Sequence, residues 1–129
     1  MKILAEISVG ELYDKITILN IKLKKINDPN KLKNINIELD ALMEQSNKLI
    51  LKDDEILRKN IQKLQDINEE LWDIENAKRE CEANKEFGEI FIKISRDVHF
   101  KNDIRASIKK EINLLSNSKI TEEKEYSKY

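Results

Sequence analysis

Hydrophobic residues recur every three or four positions along most of the chain, which is the spacing of amphipathic helices. The first predicted helix begins at a capping box, in which Ser8 caps the first turn and Glu11 reaches back to it. The Asp28-Pro29 pair ends this helix and starts the next, because the missing amide hydrogen of proline costs nothing at a first helical position. The apolar stripe of the first helix comprises Leu12, Ile16, Leu19, Leu23 and Ile26.

The same spacing predicts further helices along the rest of the chain. A break over residues 49–54, with a new cap at Asp53-Asp54, starts a third helix that runs to Ala83 and would be about 45 Å long. A fourth helix follows a turn near Gly88, and Asn102 caps a fifth. We therefore expect an all-α bundle of about five helices with one long central helix, forming a single domain over residues 1–115 and followed by a polar tail over 116–129.

Composition narrows the functional classes. Two glycines and one proline in 129 residues cannot supply the many turns of a β-sandwich or barrel. A formal charge of −1 gives no field that would attract nucleic acid or an anionic membrane, and no apolar run is long enough to span a bilayer. With Cys81 and His99 as the sole cysteine and histidine, an internal disulfide and the common transition-metal sites are excluded. We expect a cytoplasmic protein without a cofactor.

The first predicted helix carries a second apolar face. Ile18 and Ile21 lie almost opposite its main stripe, beside Asp14 and Thr17. Such a helix is either covered on both sides within the bundle, or it presents this second face to another chain. A homodimer and a docking site for a different protein are the two forms of the latter interpretation.

The third predicted helix shows the opposite anomaly, since Asn68, Glu75 and Arg79 fall on its core side. Glu75 and Arg79 are four residues apart and could form an ordinary surface ion pair where the helix leaves the core. Alternatively, these side chains belong to a buried polar network or line a pocket. A further set of charges surrounds the predicted turn between the last two helices: Arg96, Asp97, Asp103 and Arg105.

One enzymatic alternative follows from the spacing of acidic residues. Glu70 and Asp73 are three residues apart on one helical face, as are the carboxylates by which all-α nucleotide pyrophosphohydrolases bind magnesium. A matching pair on an earlier helix is missing, because Glu38 is followed three residues later by Ala41. Magnesium-dependent hydrolysis of a nucleotide or phosphate ester is therefore the second functional hypothesis.

Three segments resemble the motifs of one family of small helical proteins of bacteria and phages. Residues 7–22 are similar to its P-G-E-L-x-D-K-I-T-I-L-E-I-K opening, residues 68–75 to N-x-x-L-W-x-I-E, and residues 95–106 to A-R-x-V-Y-x-x-N-D-x-R-A. Val9, Asn20 and His99 depart from these motifs. The family is a domain of unknown function, so the resemblance implies no activity. It does imply that the polar motif positions form a shared network or pocket.

The principal functional hypothesis is a non-catalytic interaction module that binds a protein or a small anionic or polar ligand and is itself a dimer. Arg79, Arg96 and Arg105 are the candidate anion-recognition groups, because guanidinium groups bind anions through two parallel hydrogen bonds. Ile18 and Ile21 are the candidate interface. The candidate binding residues are Asp14, Lys15, Asn68, Trp72, Asp73, Glu75, Arg79, Arg96, Asn102, Asp103 and Arg105.

Overall fold

A computed structural model describes residues 1–49, 51 and 54–129 of the chain, and within this part the secondary structure consists of four α-helices and no strand. Helix α1 spans Val9–Lys25, α2 spans Pro29–Asn47, α3 spans Glu55–Ala83 and α4 spans Glu89–Leu115. The all-α class predicted from the periodicity is confirmed. No helix of the described part is long and apolar enough to cross a lipid bilayer.

The helix starts follow the predicted capping residues. The side chain of Ser8 accepts a hydrogen bond from the Glu11 amide at 3.0 Å, and Asp28 accepts one from the Asn30 amide at 2.9 Å. Asp54 caps α3. Ile50 and Asp53, which belong to the predicted break, lie outside the described residues.

The prediction of five helices is wrong, because the last two predicted helices are one continuous helix, α4. Asn102 lies in the middle of α4 and caps nothing; its side-chain oxygen accepts a hydrogen bond from Arg105 Nη1 at 3.4 Å. A single asparagine costs a helix less than about 1 kcal/mol, and the apolar stripe on either side outweighs that cost.

The prediction of one long central helix is also wrong. The central helix is α1, which contacts each of the other three, whereas α3 and α4 are both long, with 29 and 27 residues, and pack against each other. Helix α1 is buried on two opposite faces, one of which carries Leu12 and Ile16 and the other Asp14 and Ile21. Ile21 is only 1% exposed, so it lies inside the chain rather than on an exposed apolar face.

The hydrophobic core lies between α1, α3 and α4. Its buried members are Leu57, Leu64 and Ile67 of α3 and Ile112 of α4. Helix α2 covers the outer face of α1 and is largely exposed; Ile35 is its buried residue. The partly buried hydrophobic residues packed on the core are Val9, Tyr13, Leu51, Ile61, Leu71, Ile108 and Leu115.

Helices α3 and α4 extend past the end of α1. At 1.5 Å per residue α1 is about 25 Å long and α4 about 40 Å. Because the start of α1 lies at the C-terminal part of α4, where the Gly10 amide donates to Asn113 Oδ1 at 2.7 Å, the opposite ends of α3 and α4 form a projecting helical arm, residues 76–97. All residues of the arm are described, and Cys81 alone among them is buried.

The segment after α4 runs back along that helix without helical structure. Ser118 Oγ accepts a hydrogen bond from the Val9 amide at 3.2 Å, and the Glu122 carboxylate accepts one from the hydroxyl of Ser8. At the far end, the Tyr129 hydroxyl donates to Asp103. The tail is therefore held at both ends, to the start of α1 and to the middle of α4.

Gly10 allows the close approach of α1 and α4. A Cβ atom at this position would lie 2.6 Å from the backbone oxygen of Lys109 and 2.9 Å from Asn113 Oδ1. The backbone oxygen belongs to an intact helix and cannot move away cheaply. Any residue larger than glycine here would push the two helices apart.

We therefore expect Gly10→Ala to lower the free energy of unfolding by about 1–3 kcal/mol, because the added methyl group overlaps the α4 backbone. Urea unfolding followed by circular dichroism measures the change. Gly88→Ser is the control, since a Cβ at Gly88 meets nothing within 4 Å and serine is a good cap for α4. An alanine variant as stable as the parent protein would show that the helices separate without cost.

Candidate functional site

A buried ion pair joins α1 to α4. Asp14 of α1 is only 2% exposed. Arg105 of α4 donates to it through two nitrogens, Nε to Oδ1 at 2.9 Å and Nη2 to Oδ2. Asn68 of α3 adds a third hydrogen bond, from Nδ2 to Oδ1 at 3.0 Å. One carboxylate therefore binds side chains from both of the long helices.

Neighbouring polar groups complete what we call the Asp14 cluster, which comprises Glu11, Asp14, Thr17, Asn68, Arg105 and Lys109. Asn68 Nδ2 also lies 3.0 Å from Thr17 Oγ1, and the Thr17 hydroxyl donates to the Asp14 backbone oxygen at 2.9 Å. Lys109 Nζ is 3.8 Å from Asp14 Oδ2 and donates to Glu11. The buried polar groups are thus satisfied within the chain, as interior polar groups must be.

The cluster fixes the ionisation of Asp14 and Arg105. Burial raises the pKa of Asp14, but hydrogen bonds from Arg105 and Asn68, together with the positive charges of Arg105 and Lys109, outweigh it and hold that pKa below its ordinary value. The hydrogen bond to Asp14 raises the pKa of Arg105. Both groups are therefore charged at neutral pH, and the charge of Arg105 is neutralised by Asp14.

A groove adjoins the cluster between α1, α3 and α4. It encloses about 250 Å³, and we call it the interhelical groove. Its apolar lining comes from Ile18, Ile21, Leu71, Trp72 and Val98, and its polar lining from Asn68, Glu75, Asn102 and Arg105. Three helices therefore bring apolar walls, an aromatic ring and charged or amide side chains to one small concavity.

The structure brings together six of the predicted binding residues and places the others elsewhere. The cluster brings together Asp14, Asn68 and Arg105. The groove is lined by Asn68 and Arg105 of this set and also by Trp72, Glu75 and Asn102. Lys15 is exposed and pairs with Glu11 at 3.7 Å. Asp73 is exposed on α3, and Asp103 binds the tail through Tyr129.

The three candidate anion-binding arginines do not share a site. Arg79 is 78% exposed and pairs with Glu75 at 3.7 Å. The guanidinium of Arg96 lies 5.9 Å from the centre of the Phe100 ring, and it is two residues from Val98, which puts it on nearly the opposite side of α4 from the groove. Arg105 is committed to Asp14. The sequence predicted a turn between Arg96 and Arg105, but both lie on the continuous helix α4, and Arg79 lies on α3.

The structure does not supply the set of ligands that the magnesium hypothesis requires. Glu70 accepts a hydrogen bond from Lys101 Nζ at 2.7 Å, so its carboxylate is paired with an ammonium group. Within residues 1–49, 51 and 54–129, no three or more His, Cys, Asp and Glu side chains are grouped so that they could hold a metal ion. Glu70 and Asp73 therefore lack a third acidic partner in the described part.

Sequence reasoning did not predict Glu11, Thr17 and Lys109 as members of the cluster, although the helical period gives a signal for Thr17 and Lys109. Gly10, Asp14, Thr17 and Ile21 follow one another at spacings of four, three and four, the period of a buried helical face. Lys109 continues the face of α4 that carries Arg105. Sequence reasoning placed Asp14 and Thr17 on this face but did not join them to the facing residues of the other helices, because periodicity along one helix does not show its partners.

We expect Asp14→Asn to lower the free energy of unfolding at pH 7 by about 3 kcal/mol, because Arg105 keeps its charge and loses its partner. The stabilisation from a carboxylate of depressed pKa is present above its unfolded value, about 3.9, and is lost as the pH falls through the lower folded value. The difference between parent and variant should therefore narrow in acid. Urea unfolding between pH 2 and pH 7 measures it.

Asp73→Asn is the matched control, since it removes an exposed carboxylate from α3. We expect it to change the free energy of unfolding by less than about 0.5 kcal/mol at every pH. A constant difference between the parent and the Asp14 variant across this range would contradict the assigned ionisation of Asp14.

Comparison with known proteins places the chain in a family. A family model described as DUF6165, a family of unknown function, matches residues 1–129. No curated protein and no solved structure matches the chain. The chain belongs to the DUF6165 family.

Proposed function

We propose that the protein is a non-catalytic binding module whose interhelical groove takes a small polar ligand or a single side chain of a partner protein. The observation that carries this proposal is the composition of the groove. Apolar walls, the only tryptophan of the chain and the polar groups of Glu75 and Asn102 converge on one concavity. Apolar walls with a few convergent polar groups are typical of ligand sites.

The size of the groove favours a small occupant. About 250 Å³ is less than the volume of sites that hold drug-sized molecules. A ligand of this size would contact α1, α3 and α4 at once. The groove therefore suits a small molecule or the end of one side chain better than a folded segment of another protein.

The Asp14 cluster supports a binding role because it makes the groove rigid. Asp14, Asn68 and Arg105 belong to three different helices and hold them in one register. A ligand that enters a preformed site loses little free energy to ordering the protein. The cluster thus prepares the groove without itself being consumed in a reaction.

The chemistry of the groove supports binding over catalysis. The Asp14 carboxylate beside the groove is already bound by Arg105 and Asn68, and its pKa is held below its ordinary value, so it is not available for proton exchange with a ligand. The described residues that line the groove include no serine, cysteine, histidine or lysine that could act as a nucleophile. The site is suited to hold a ligand unchanged.

The proposal also covers partners and compartment. Self-association is best supported at the helical arm, where the apolar side chain of Ile90 is 68% exposed. We place the protein in the cytoplasm, since Cys81 is a free thiol and reducing compartments keep thiols free.

The groove proposal is tested by nuclear magnetic resonance with ¹⁵N-labelled protein and small probes: acetate, phosphate, acetamide and methylammonium. We expect at least one probe to shift the Trp72 indole and Asn102 resonances and to saturate below about 10 mM. The variant Val98→Phe, whose larger side chain fills the groove, should weaken the binding of that probe. Ile104→Phe is the control, on an exposed position of the same helix. If no probe moves the groove resonances, the proposal fails.

Self-association is tested by sedimentation equilibrium at micromolar concentrations. We expect the parent protein to sediment as a dimer and the variant Ile90→Glu as a monomer, because a buried carboxylate opposes association. Ile56→Glu, at an exposed site near the other end of α3, should leave the dimer intact. A parent protein that is monomeric throughout would exclude the arm as an interface.

A further inference from the structure

The two charged side chains that line the groove differ in how strongly they are bound by ion-pair partners within the chain. Among the described lining residues, the charged side chains are Arg105 and Glu75. Arg105 donates from Nε and Nη2 to Asp14, and from Nη1 to Asn102 at 3.4 Å. Its positive charge is balanced by a carboxylate that is itself buried, so Arg105 offers an incoming anion little net attraction.

Glu75 is the charge that remains available. Its side chain is 57% exposed, and its ion-pair partner, Arg79, is 78% exposed and lies at 3.7 Å. An exposed pair of this length contributes little, so Arg79 is readily exchanged for another cation. The carboxylate at the rim of the groove can therefore accept a positive group from a ligand.

An aromatic ring lies next to this carboxylate. Trp72 precedes Glu75 by three residues, which places both side chains on the same face of α3, and both line the groove. The face of an indole ring attracts ammonium and guanidinium groups, more strongly than other aromatic rings do. A carboxylate beside an indole is an arrangement that binds organic cations.

The rest of the groove matches the body of such a ligand. Ile18 and Val98 supply partly exposed aliphatic surface from α1 and α4. A hydrocarbon stem that leads to a cationic end would bury its apolar surface against them. An anion of the same shape would instead meet Glu75 and these apolar walls.

We infer that the groove binds an organic cation, namely an alkylammonium or alkylguanidinium group of a few carbon atoms. This inference rests on the proposed function and names the ligand class of the same site. The group could come from a free amine or from a lysine or arginine side chain of a partner protein, because both present the same chemistry to Trp72 and Glu75.

The sole tryptophan of the chain makes the test direct, since the fluorescence of Trp72 reports only on the groove. The protein is titrated at constant ionic strength with n-butylammonium, and with butyrate and 1-butanol as probes of the same shape with a negative charge or none. We expect a saturable change with butylammonium and about tenfold weaker binding of the other two, since one charged contact is lost.

Two variants assign the effect to Glu75. Glu75→Gln should weaken the binding of butylammonium by about tenfold and leave the binding of 1-butanol unchanged, because the substitution removes the negative charge and keeps the shape of the side chain. Glu80→Gln is the matched control, an exposed glutamate on the same helix that points away from the groove. Equal loss in both variants would overturn the role of Glu75, and circular dichroism verifies that each variant is folded.

The source of the cation is separated by two peptides, acetyl-Gly-Lys-Gly-amide and the same peptide with the lysine side chain acetylated. Binding of the first but not the second supports a partner side chain, whereas binding of butylammonium alone supports a free amine. Tighter binding of butyrate or butanol than of butylammonium overturns this inference but leaves the groove proposal in place. If no probe changes Trp72 fluorescence or the groove resonances, both fail.

Discussion

The buried charge of Asp14 is the constraint on which the rest of the structure depends. A carboxylate in the protein interior must receive hydrogen bonds and a compensating positive charge, or it costs several kcal/mol. Arg105 supplies the charge from α4 and Asn68 a further donor from α3. Apolar side chains can slide past one another with modest loss, whereas this arrangement is satisfied in one register only. The ion pair thus specifies how three helices are aligned.

The interhelical groove is a consequence of that alignment. Because Asp14, Asn68 and Arg105 satisfy one another, the side chains beside them need not turn inward to complete the cluster. Trp72 and Glu75 lie on the same face of α3 as Asn68 and line the concavity beside the cluster. The Asp14 cluster therefore fixes the positions of the helices whose side chains line the interhelical groove.

The sequence was informative where a property is local. Ser8 and Asp28 cap their helices as predicted, because capping depends on a few neighbouring residues. The motif resemblance also singled out Asp14, which the structure joins to other motif residues. The predictions that failed concern residues whose role depends on other parts of the chain. Asn102 was predicted to cap a helix, but it lies inside α4 and binds Arg105. Arg105 was predicted to bind an anionic ligand, but it binds the carboxylate of Asp14, 91 positions away. The helical period of a sequence shows which face of a helix is buried, but it does not show which residues pack against that face.

The hydrogen bond between Ser8 and Glu122 couples the opening of the first turn of α1 to the release of the C-terminal tail. The hydroxyl of Ser8 caps the first turn of α1 and donates to Glu122, while Asn113 bonds to both Gly10 and Glu122. Fraying of the first turn therefore breaks the contacts of the tail, and release of the tail weakens the first turn. In hydrogen exchange the amides of Val9 and Gly10 would open together with the tail, as one cooperative unit of local unfolding whose members lie more than a hundred residues apart in sequence.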